Sequence, residues 1–152
     1  MGGDHGPPVI LSAAIKAIQH HPDVNFTLCG DESIINPAIQ VLSDAERRRV
    51  VVSHCDQVVD MGEAPTSALR HKKRSSMRKA IELVQAKEAH ACVSAGNTGA
   101  LLTLSFYLLK TLSGIDRPAL VSMMPTASHH KVLLLDLGAN VNCTPDILFQ
   151  YG

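Results

Sequence analysis

The segment from residue 94 to residue 99 has the composition of an anion-binding loop. It reads Ser94-Ala95-Gly96-Asn97-Thr98-Gly99 and joins an apolar run to a longer apolar stretch. Small residues let backbone N–H groups approach an anion, and the start of a helix adds unpaired donors and the positive end of its dipole. No Lys follows the second Gly, and the spacing is not G-x-G-x-x-G, so neither common nucleotide-binding loop is indicated. Two interpretations stay open: an anion site, or a tight turn with a helix cap.

A basic segment at residues 70–79 could also bind an anion. Six of the fourteen Lys and Arg residues lie there, and no acidic residue occurs from position 64 to position 81. A serine at position 75 or 76 is expected to cap the following helix, which places Arg78 and Lys79 in its first turn. Each cation there opposes the helix dipole by about 0.3–1 kcal/mol, a penalty that a bound anion would reverse. We expect most of these charges to form a solvated surface. The exceptions, expected to bind phosphate or an acidic carrier protein, are Lys73, Arg74, Ser75 and Ser76.

Two further segments combine glycine with polar side chains. Their residues of interest are Gly2, Gly3, Asp4 and His5 near the start of the chain, and Gly138 and Asn140 near its end. The glycines permit backbone conformations that are closed to other residues, and the acid and the imidazole form a potential polar pair beside a ligand. A helix cap for the first segment and an ordinary turn for the second are the alternatives.

Apolar periodicity predicts alternating helices and strands. Helices are predicted at residues 9–20, 38–42, 77–84, 98–112 and from 145 onwards, with Pro37 in the first turn of the second. Strands are predicted at residues 25–29, 50–53, 91–95, 120–123 and 132–137, and residues 54–75 are expected to be a polar loop. This order favours an α/β fold with a mostly parallel sheet, in which the strand-to-helix turns meet at one edge. We therefore expect the glycine-containing segments and the polar loop to share that edge.

Composition is that of a globular protein, with 45% hydrophobic and 18% charged residues, and fourteen basic residues balance fourteen acidic ones. Disorder is excluded on these values. Aromatic residues make up 3%, too few to stack single-stranded nucleic acid, so we expect no nucleic-acid partner. The four cysteines are far apart in sequence, which favours reduced thiols in a cytoplasmic protein. His54-Cys55 and His129-His130 lack the spacing of a closed zinc site, so no metal is expected.

The segment at residues 98–112 is apolar nearly all round, with Thr103, Ser105 and Lys110 as interruptions. A spanning helix needs about 20 apolar residues, and this segment is shorter. We expect it to be buried in the domain or in a subunit interface. Insertion into a membrane stays open as the alternative.

Five stretches, in order along the chain, resemble the signature of the PlsX phosphate acyltransferases. They are Met1-Gly2-Gly3-Asp4-His5, Ser75-Ser76-Met77, Ser94-Ala95-Gly96-Asn97-Thr98-Gly99-Ala100-Leu101, Gly114-Ile115-Asp116-Arg117-Pro118-Ala119-Leu120 and Leu135-Asp136-Leu137-Gly138-Ala139-Asn140-Val141. Asn142 departs from the pattern, because an acid is expected there. The resemblance covers the whole chain, but family members carry a further strand before it and continue well beyond it. We therefore expect a partial α/β/α domain that lacks its first strand and its C-terminal half.

The resemblance implies a homodimeric, three-layer α/β/α enzyme of the isocitrate-dehydrogenase-like and phosphotransacetylase-like group, without a cofactor. It implies formation of acyl phosphate from acyl-[acyl carrier protein] and inorganic phosphate in phospholipid synthesis. The enzyme is expected to be cytoplasmic; peripheral contact with the inner face of the membrane, where a membrane acyltransferase uses the product, stays open.

Within this resemblance we expect phosphate to contact the backbone of residues 96–99, aided by Thr98, Arg74 and Ser94. Asn97 is expected to orient phosphate or the thioester carbonyl, with Asp4 and His5 on the opposite wall. Two alternatives remain. One is another enzyme of the same fold, a phosphotransacetylase or an NAD-linked dehydrogenase. The other is a non-catalytic basic docking module.

Overall fold

The computed structural model of this chain describes residues 1–116, 118–136 and 144–151. These residues form two compact units, Met1–Leu108 and Leu109–Gly152. In the described residues each unit contains a two-stranded sheet, packed with several helices in the first unit and accompanied by one helix in the second. The predicted α/β class is therefore confirmed.

The first unit begins with helix α1, and its elements follow as two strands, further helices and one 3₁₀ turn. They are α1 (Gly6–His20), β1 (Phe26–Gly30), α2 (Glu32–Ala38), a 3₁₀ turn (Ile39–Val41), α3 (Asp44–Arg47), β2 (Val50–His54), α4 (Pro65–His71), α5 (Ser76–Gln85) and α6 (Thr98–Leu109). Strands β1 and β2 are parallel, with Phe26 opposite Val50 and Gly30 opposite His54. The predicted parallel pairing of these strands is confirmed.

Two apolar clusters stabilise this unit. The first joins α1 and α2 to the strands and comprises Leu11, Ile18, Ile35, Ile39 and Leu42. The second joins α4, α5 and α6 and comprises Val59, Ala68, Met77, Ile81, Ala100, Leu104 and Leu108. Full burial of a leucine or isoleucine side chain contributes about 1.5–3 kcal/mol to the free energy of folding. The second cluster fixes the start of α6 relative to α4 and α5, which matters for the site.

Predictions for α2 and α4 were wrong in two respects. Helix α2 begins at Glu32 because the Asp31 carboxylate accepts the Ser33 N–H at 2.9 Å and caps it. Pro37 therefore lies near the end of α2 rather than in a first turn. Helix α4 occupies part of the predicted polar loop, with a proline in its first turn, a position that a helix tolerates well.

Residues 91–95 do not form the predicted strand. A strand is stabilised by hydrogen bonds to a neighbouring strand, and the described residues supply none to this segment. Val93 is 98% exposed, so burial of its side chain does not stabilise a strand here either. Apolar composition alone therefore gave a wrong prediction here.

The second unit contains β3 (Val121–Pro125), β4 (Lys131–Leu135) and α7 (Pro145–Tyr151). The two strands pair antiparallel, with Val121 opposite Leu135. They are joined by a short turn in which the Thr126 N–H donates to the His130 carbonyl at 2.9 Å. A connection this short permits only an antiparallel pair, so the expectation of parallel strands fails for this unit. The predicted helix starting at Pro145 is confirmed.

Helix α6 buries Ala100, Leu104 and Leu108, as expected for a helix that packs inside its domain. Phe106 and Tyr107 are exposed in the same helix. Among the described helices, none combines the length and the apolar character that crossing a membrane requires.

Candidate functional site

The carboxyl ends of β1 and β2 lie side by side and open onto the loops that form the site. The Cys55 N–H donates to the Gly30 carbonyl at 2.8 Å, so the chain leaves β2 directly beside the end of β1. The loop at residues 55–63 then runs along this edge of the sheet. The predicted position of the polar loop at the carboxyl edge is therefore observed.

Gly2 and Gly3 pack directly against this loop and against residues 95–96. A Cβ atom on Gly2 would lie 3.4 Å from the Val59 carbonyl oxygen and 3.5 Å from the Gly96 Cα atom. A Cβ atom on Gly3 would lie 3.2 Å from the Ala95 carbonyl oxygen, and Gly3 has φ +101°. Such a φ disfavours any residue with a side chain. Glycine is therefore needed here for close backbone approach.

The Asn97 side chain joins the 55–63 loop to the start of α6. Its Nδ2 atom donates to the carbonyl oxygens of Asp60, Met61 and Glu63 at 3.2, 2.9 and 2.8 Å. Its Oδ1 atom accepts the Ala100 N–H at 3.0 Å. Asn97 is 9% exposed, so these bonds are largely shielded from water. The side chain that was expected to orient the substrate thus makes an internal connection between the loop and the helix.

Capping by Asn97 leaves the first amides of α6 available. No hydrogen bond reaches the Thr98 or Gly99 N–H from the part of the chain that the structure describes. A Cβ atom on Gly99 would come within 3.0 Å of the Pro65 ring. Because Gly99 has no side chain, its backbone can pack closely against Pro65. Two unpaired amides at a helix start form a favourable environment for an anion.

Glu63 holds the same loop from its other side, and the sequence reasoning missed it. Its carboxylate accepts the Ser67 hydroxyl at 3.0 Å and the Asp60 N–H at 3.4 Å. The Lys72 ammonium lies 3.7 Å from it, and the Glu63 side chain is only 14% exposed. The i to i+4 spacing of Glu63 and Ser67 across the start of α4 was the one available signal in the sequence.

Residues 74–77 lie against the beginning of the loop. Gln57 and Ser75 form a parallel bridge, and the Gln57 side chain accepts the Arg74 N–H at 2.9 Å. Ser75 caps α5, as predicted for this position or the next, because its hydroxyl accepts the Arg78 N–H. The buried Ser75 hydroxyl also donates to the Lys72 carbonyl at 2.8 Å. Both of these hydrogen bonds stabilise the start of α5.

Met77 brings α5 onto the glycine-containing loop. A Cβ atom on Gly96 would lie 2.9 Å from the terminal methyl of Met77 and 3.4 Å from the Ser94 hydroxyl. Ser94 also accepts the Gly96 N–H at 3.2 Å. Ser76, next to Met77, is buried as well. The 74–77 and 94–99 segments therefore lie against each other.

The charged candidates are more exposed than the glycines and serines. The Arg74 guanidinium pairs with the Asp56 carboxylate at 2.6 Å, and its side chain is 74% exposed. Lys73, Asp4 and His5 are exposed. His5 is the N-cap residue of α1, and its side chain makes no capping hydrogen bond. Gly138 and Asn140 lie outside the described residues.

The thiols near the site are poor nucleophiles. Burial, together with a smaller effect of the nearby Cys55, raises the pKa of Cys29 to about 11, while the Lys79 ammonium opposes the shift. Burial also raises the pKa of Cys55 and of Cys92. Because the thiolate is the reactive form, covalent catalysis by these cysteines is disfavoured. Among the described residues, Cys29, Cys55 and Cys92 are free thiols.

Comparison with known proteins identifies the family. The family described as "Fatty acid synthesis protein" matches residues 1–152. A "Phosphate acyltransferase" from Halorhodospira halophila is 51% identical over 155 residues, covering 100% of this chain and 44% of the relative. One of the same name from Pseudoalteromonas atlantica is 53% identical over 150 residues, covering 99% of this chain and 44% of the relative. The chain thus spans less than half the length of these relatives. With a match over every residue and half of the positions identical, the chain belongs to the fatty acid synthesis protein family, as its resemblance to the PlsX phosphate acyltransferases predicted.

Proposed function

We propose that the protein containing this chain transfers an acyl group from acyl-[acyl carrier protein] to inorganic phosphate and so supplies acyl phosphate for phospholipid synthesis. The names of the relatives support transfer to phosphate, and the carrier follows from the resemblance to the PlsX family. The observation that carries the proposal is the pair of unpaired amides at Thr98 and Gly99. Asn97 caps the helix that carries them and bonds the 55–63 loop.

The proposed chemistry needs little acid–base help from the protein. The second pKa of a phosphate group is about 6, so the nucleophile is largely dianionic at neutral pH. One phosphate oxygen attacks the thioester carbonyl carbon, and the carbonyl oxygen becomes the oxyanion of a tetrahedral intermediate. The C–S bond then breaks, and the thiolate, whose conjugate acid has a pKa of about 8.5, leaves and is protonated by solvent. Position and charge stabilisation are therefore the main contributions required of the enzyme.

Each contribution has a candidate in the site. We assign phosphate contact to the N–H groups of Thr98 and Gly99 and to the Thr98 hydroxyl. Arg74 is exposed, and it could exchange its bond to Asp56 for one to phosphate. A water-accessible ion pair of this kind is worth only about 0–1 kcal/mol, so this exchange has a small cost.

Asn97 is better described as a positioning residue than as a group that touches the substrate. Both hydrogens of its amide are directed at the carbonyls of the 60–63 loop. We propose that it acts by keeping the α6 amides in place. Asp4 and His5, which are exposed and follow the packed glycines, keep their proposed role of orienting groups at the opposite wall of the site.

We further propose that the chain is part of a three-layer α/β/α domain of a cytoplasmic homodimer. The parallel β1–β2 pair supports such a sheet. Exposed apolar side chains on β3 and β4, such as Met123 and Leu133, support additional packing partners in the longer protein. Peripheral contact with a membrane acyltransferase belongs to the same proposal.

The full-length enzyme tests this function directly. Purified enzyme is incubated with long-chain acyl-[acyl carrier protein], with and without inorganic phosphate. Free carrier is followed by mass spectrometry, and acyl phosphate is trapped with hydroxylamine. We expect both products to appear together and only with phosphate. Equal release of carrier without phosphate, or turnover only of acetyl coenzyme A or of a nicotinamide cofactor, would contradict the proposal.

A further inference from the structure

The basic segment at residues 70–79 contains two kinds of cation. Three are held by carboxylates: Lys72 by Glu63 at 3.7 Å, Arg74 by Asp56 at 2.6 Å and Arg78 by Glu82 at 2.7 Å. Arg70, Lys73 and Lys79 make no ion pair with any residue that the structure describes. Lys79 is half-buried, whereas Arg70 and Lys73 are exposed. Their charges are therefore uncompensated at the surface.

The chain neighbours of Lys73 are tied to the loop of the candidate phosphate site, and Arg70 lies in α4, the helix that follows this loop. Lys73 stands between Lys72, which pairs with Glu63, and Arg74, whose N–H bonds Gln57. Both anchors belong to the 55–63 loop that Asn97 bonds. The loop thus positions the cations and the α6 amides together.

Helix stabilisation accounts for only part of this charge. Arg70 lies in the last turn of α4, where a cation interacts favourably with the helix dipole. Lys73 follows the C-cap residue Lys72 and therefore lies outside the helix. Two exposed cations in water bind one small phosphate weakly. They attract an extended acidic surface well, because charge steering acts over a Debye length of about 10 Å.

We propose that Arg70 and Lys73 form the docking surface for the acidic face of the carrier protein that delivers the thioester. The inference rests on the proposed function and adds the surface on which the carrier binds. Docking at this place would bring the carrier's prosthetic group to the rim of the site that holds phosphate.

A pair of double variants in the full-length enzyme tests the docking surface. Arg70→Gln/Lys73→Gln removes the two exposed unpaired charges, and Lys16→Gln/Arg48→Gln is the matched control. Lys16 and Arg48 are equally exposed, and Arg48 precedes β2, near the opposite edge of the sheet. Each enzyme is assayed with acyl-[acyl carrier protein] and with the same acyl group on N-acetylcysteamine, an uncharged thioester.

For the docking variant we expect KM for the acyl carrier to rise about tenfold at low salt, with kcat retained. Its KM should also depend less on salt, while the uncharged thioester and the control variant should show less than about a twofold change. An unchanged KM for the carrier would overturn the docking surface and leave the proposed function intact. Equal loss with both thioesters would overturn it too, because the cations would then serve the phosphate site.

Binding of the carrier without phosphate separates the two proposals. If the parent enzyme shows no phosphate-dependent turnover, the proposed function fails, and salt-sensitive binding of acyl-[acyl carrier protein] by calorimetry still tests the surface. Weaker binding to the docking variant alone supports docking. Equal binding to all three proteins refutes it. Thermal unfolding of each variant reports any loss of helix stability.

Discussion

The hydrogen bonds of Asn97 allow a quantitative prediction for its replacement by alanine. Two amide hydrogens are shared among the carbonyl oxygens of Asp60, Met61 and Glu63, and the Asn97 oxygen accepts the Ala100 N–H. Asn97→Ala therefore removes about three effective hydrogen bonds. At about 1 kcal/mol for each of the two donor bonds and about 1–3 kcal/mol for the buried Ala100 N–H left unpaired, the loss is about 3–5 kcal/mol.

A matched variant separates the two ends of the amide. Asn97→Asp has nearly the same shape and can still cap Ala100, but it replaces the donor group with an oxygen that faces three carbonyls. Repulsion should make its loss of stability at least as large as that of Asn97→Ala, while the Ala100 N–H stays protected. Asn97→Ser can also accept the Ala100 N–H but cannot reach the loop. Its free energy of unfolding should lie between those of the parent and of Asn97→Ala.

Urea unfolding and hydrogen exchange measure these changes in the full-length protein. We expect the free energy of unfolding to fall, and exchange at Ala100 to accelerate in Asn97→Ala but not in Asn97→Asp. The KM for phosphate should rise in both variants because the α6 amides lose their position. If the free energy of unfolding of Asn97→Ala lies within about 0.5 kcal/mol of that of the parent, and the Ala100 N–H keeps its protection from exchange, our account of this residue is wrong.

Three further perturbations follow from the same geometry. Gly3→Ala should destabilise the protein by about 1–3 kcal/mol in urea unfolding, because its φ is +101° and the new Cβ would crowd a backbone oxygen; Gly62→Ala, with nothing within 4 Å, is the control, and equal effects would contradict the explanation. Glu63→Ala should lower the free energy of unfolding by about 1–3 kcal/mol and raise the KM for phosphate. Glu63→Gln, which still accepts hydrogen bonds, should restore most of the stability and of the KM. If Glu63→Gln restores neither, the charge of Glu63 matters and its hydrogen bonds do not. Cys29 has a pKa raised from 9.0 to about 11, so its alkylation by iodoacetamide at pH 8, followed by peptide mass spectrometry, should be slower in the folded than in the unfolded protein. Because the folded state favours the protonated thiol, its contribution to stability is complete below pH 9 and is lost as the pH rises through about 11; rapid alkylation at pH 8 would refute the burial argument.

Local sequence determined most helices and the first two strands of this chain. Paired prolines in the first turn of α1, the Ser75 cap of α5 and Pro145 at the start of α7 are signals within a few residues of the elements they define. The strands β1 and β2 were recognisable from short apolar runs for the same reason. Motif order was enough to identify the family.

Only the tertiary structure decided what these elements do for the site. Asn97 bonds carbonyls 34 to 37 residues away, and no local pattern specifies such partners. The Glu63–Lys72 pair and the division of the basic segment into compensated and uncompensated cations likewise depend on how α4 and the 55–63 loop pack. Residues 91–95 illustrate the same limit, because a strand requires a neighbour as well as a suitable composition. Spacing in the sequence identifies the candidate residues. Packing between segments that are far apart in the sequence determines whether each of them is available to the substrate or stabilises the fold.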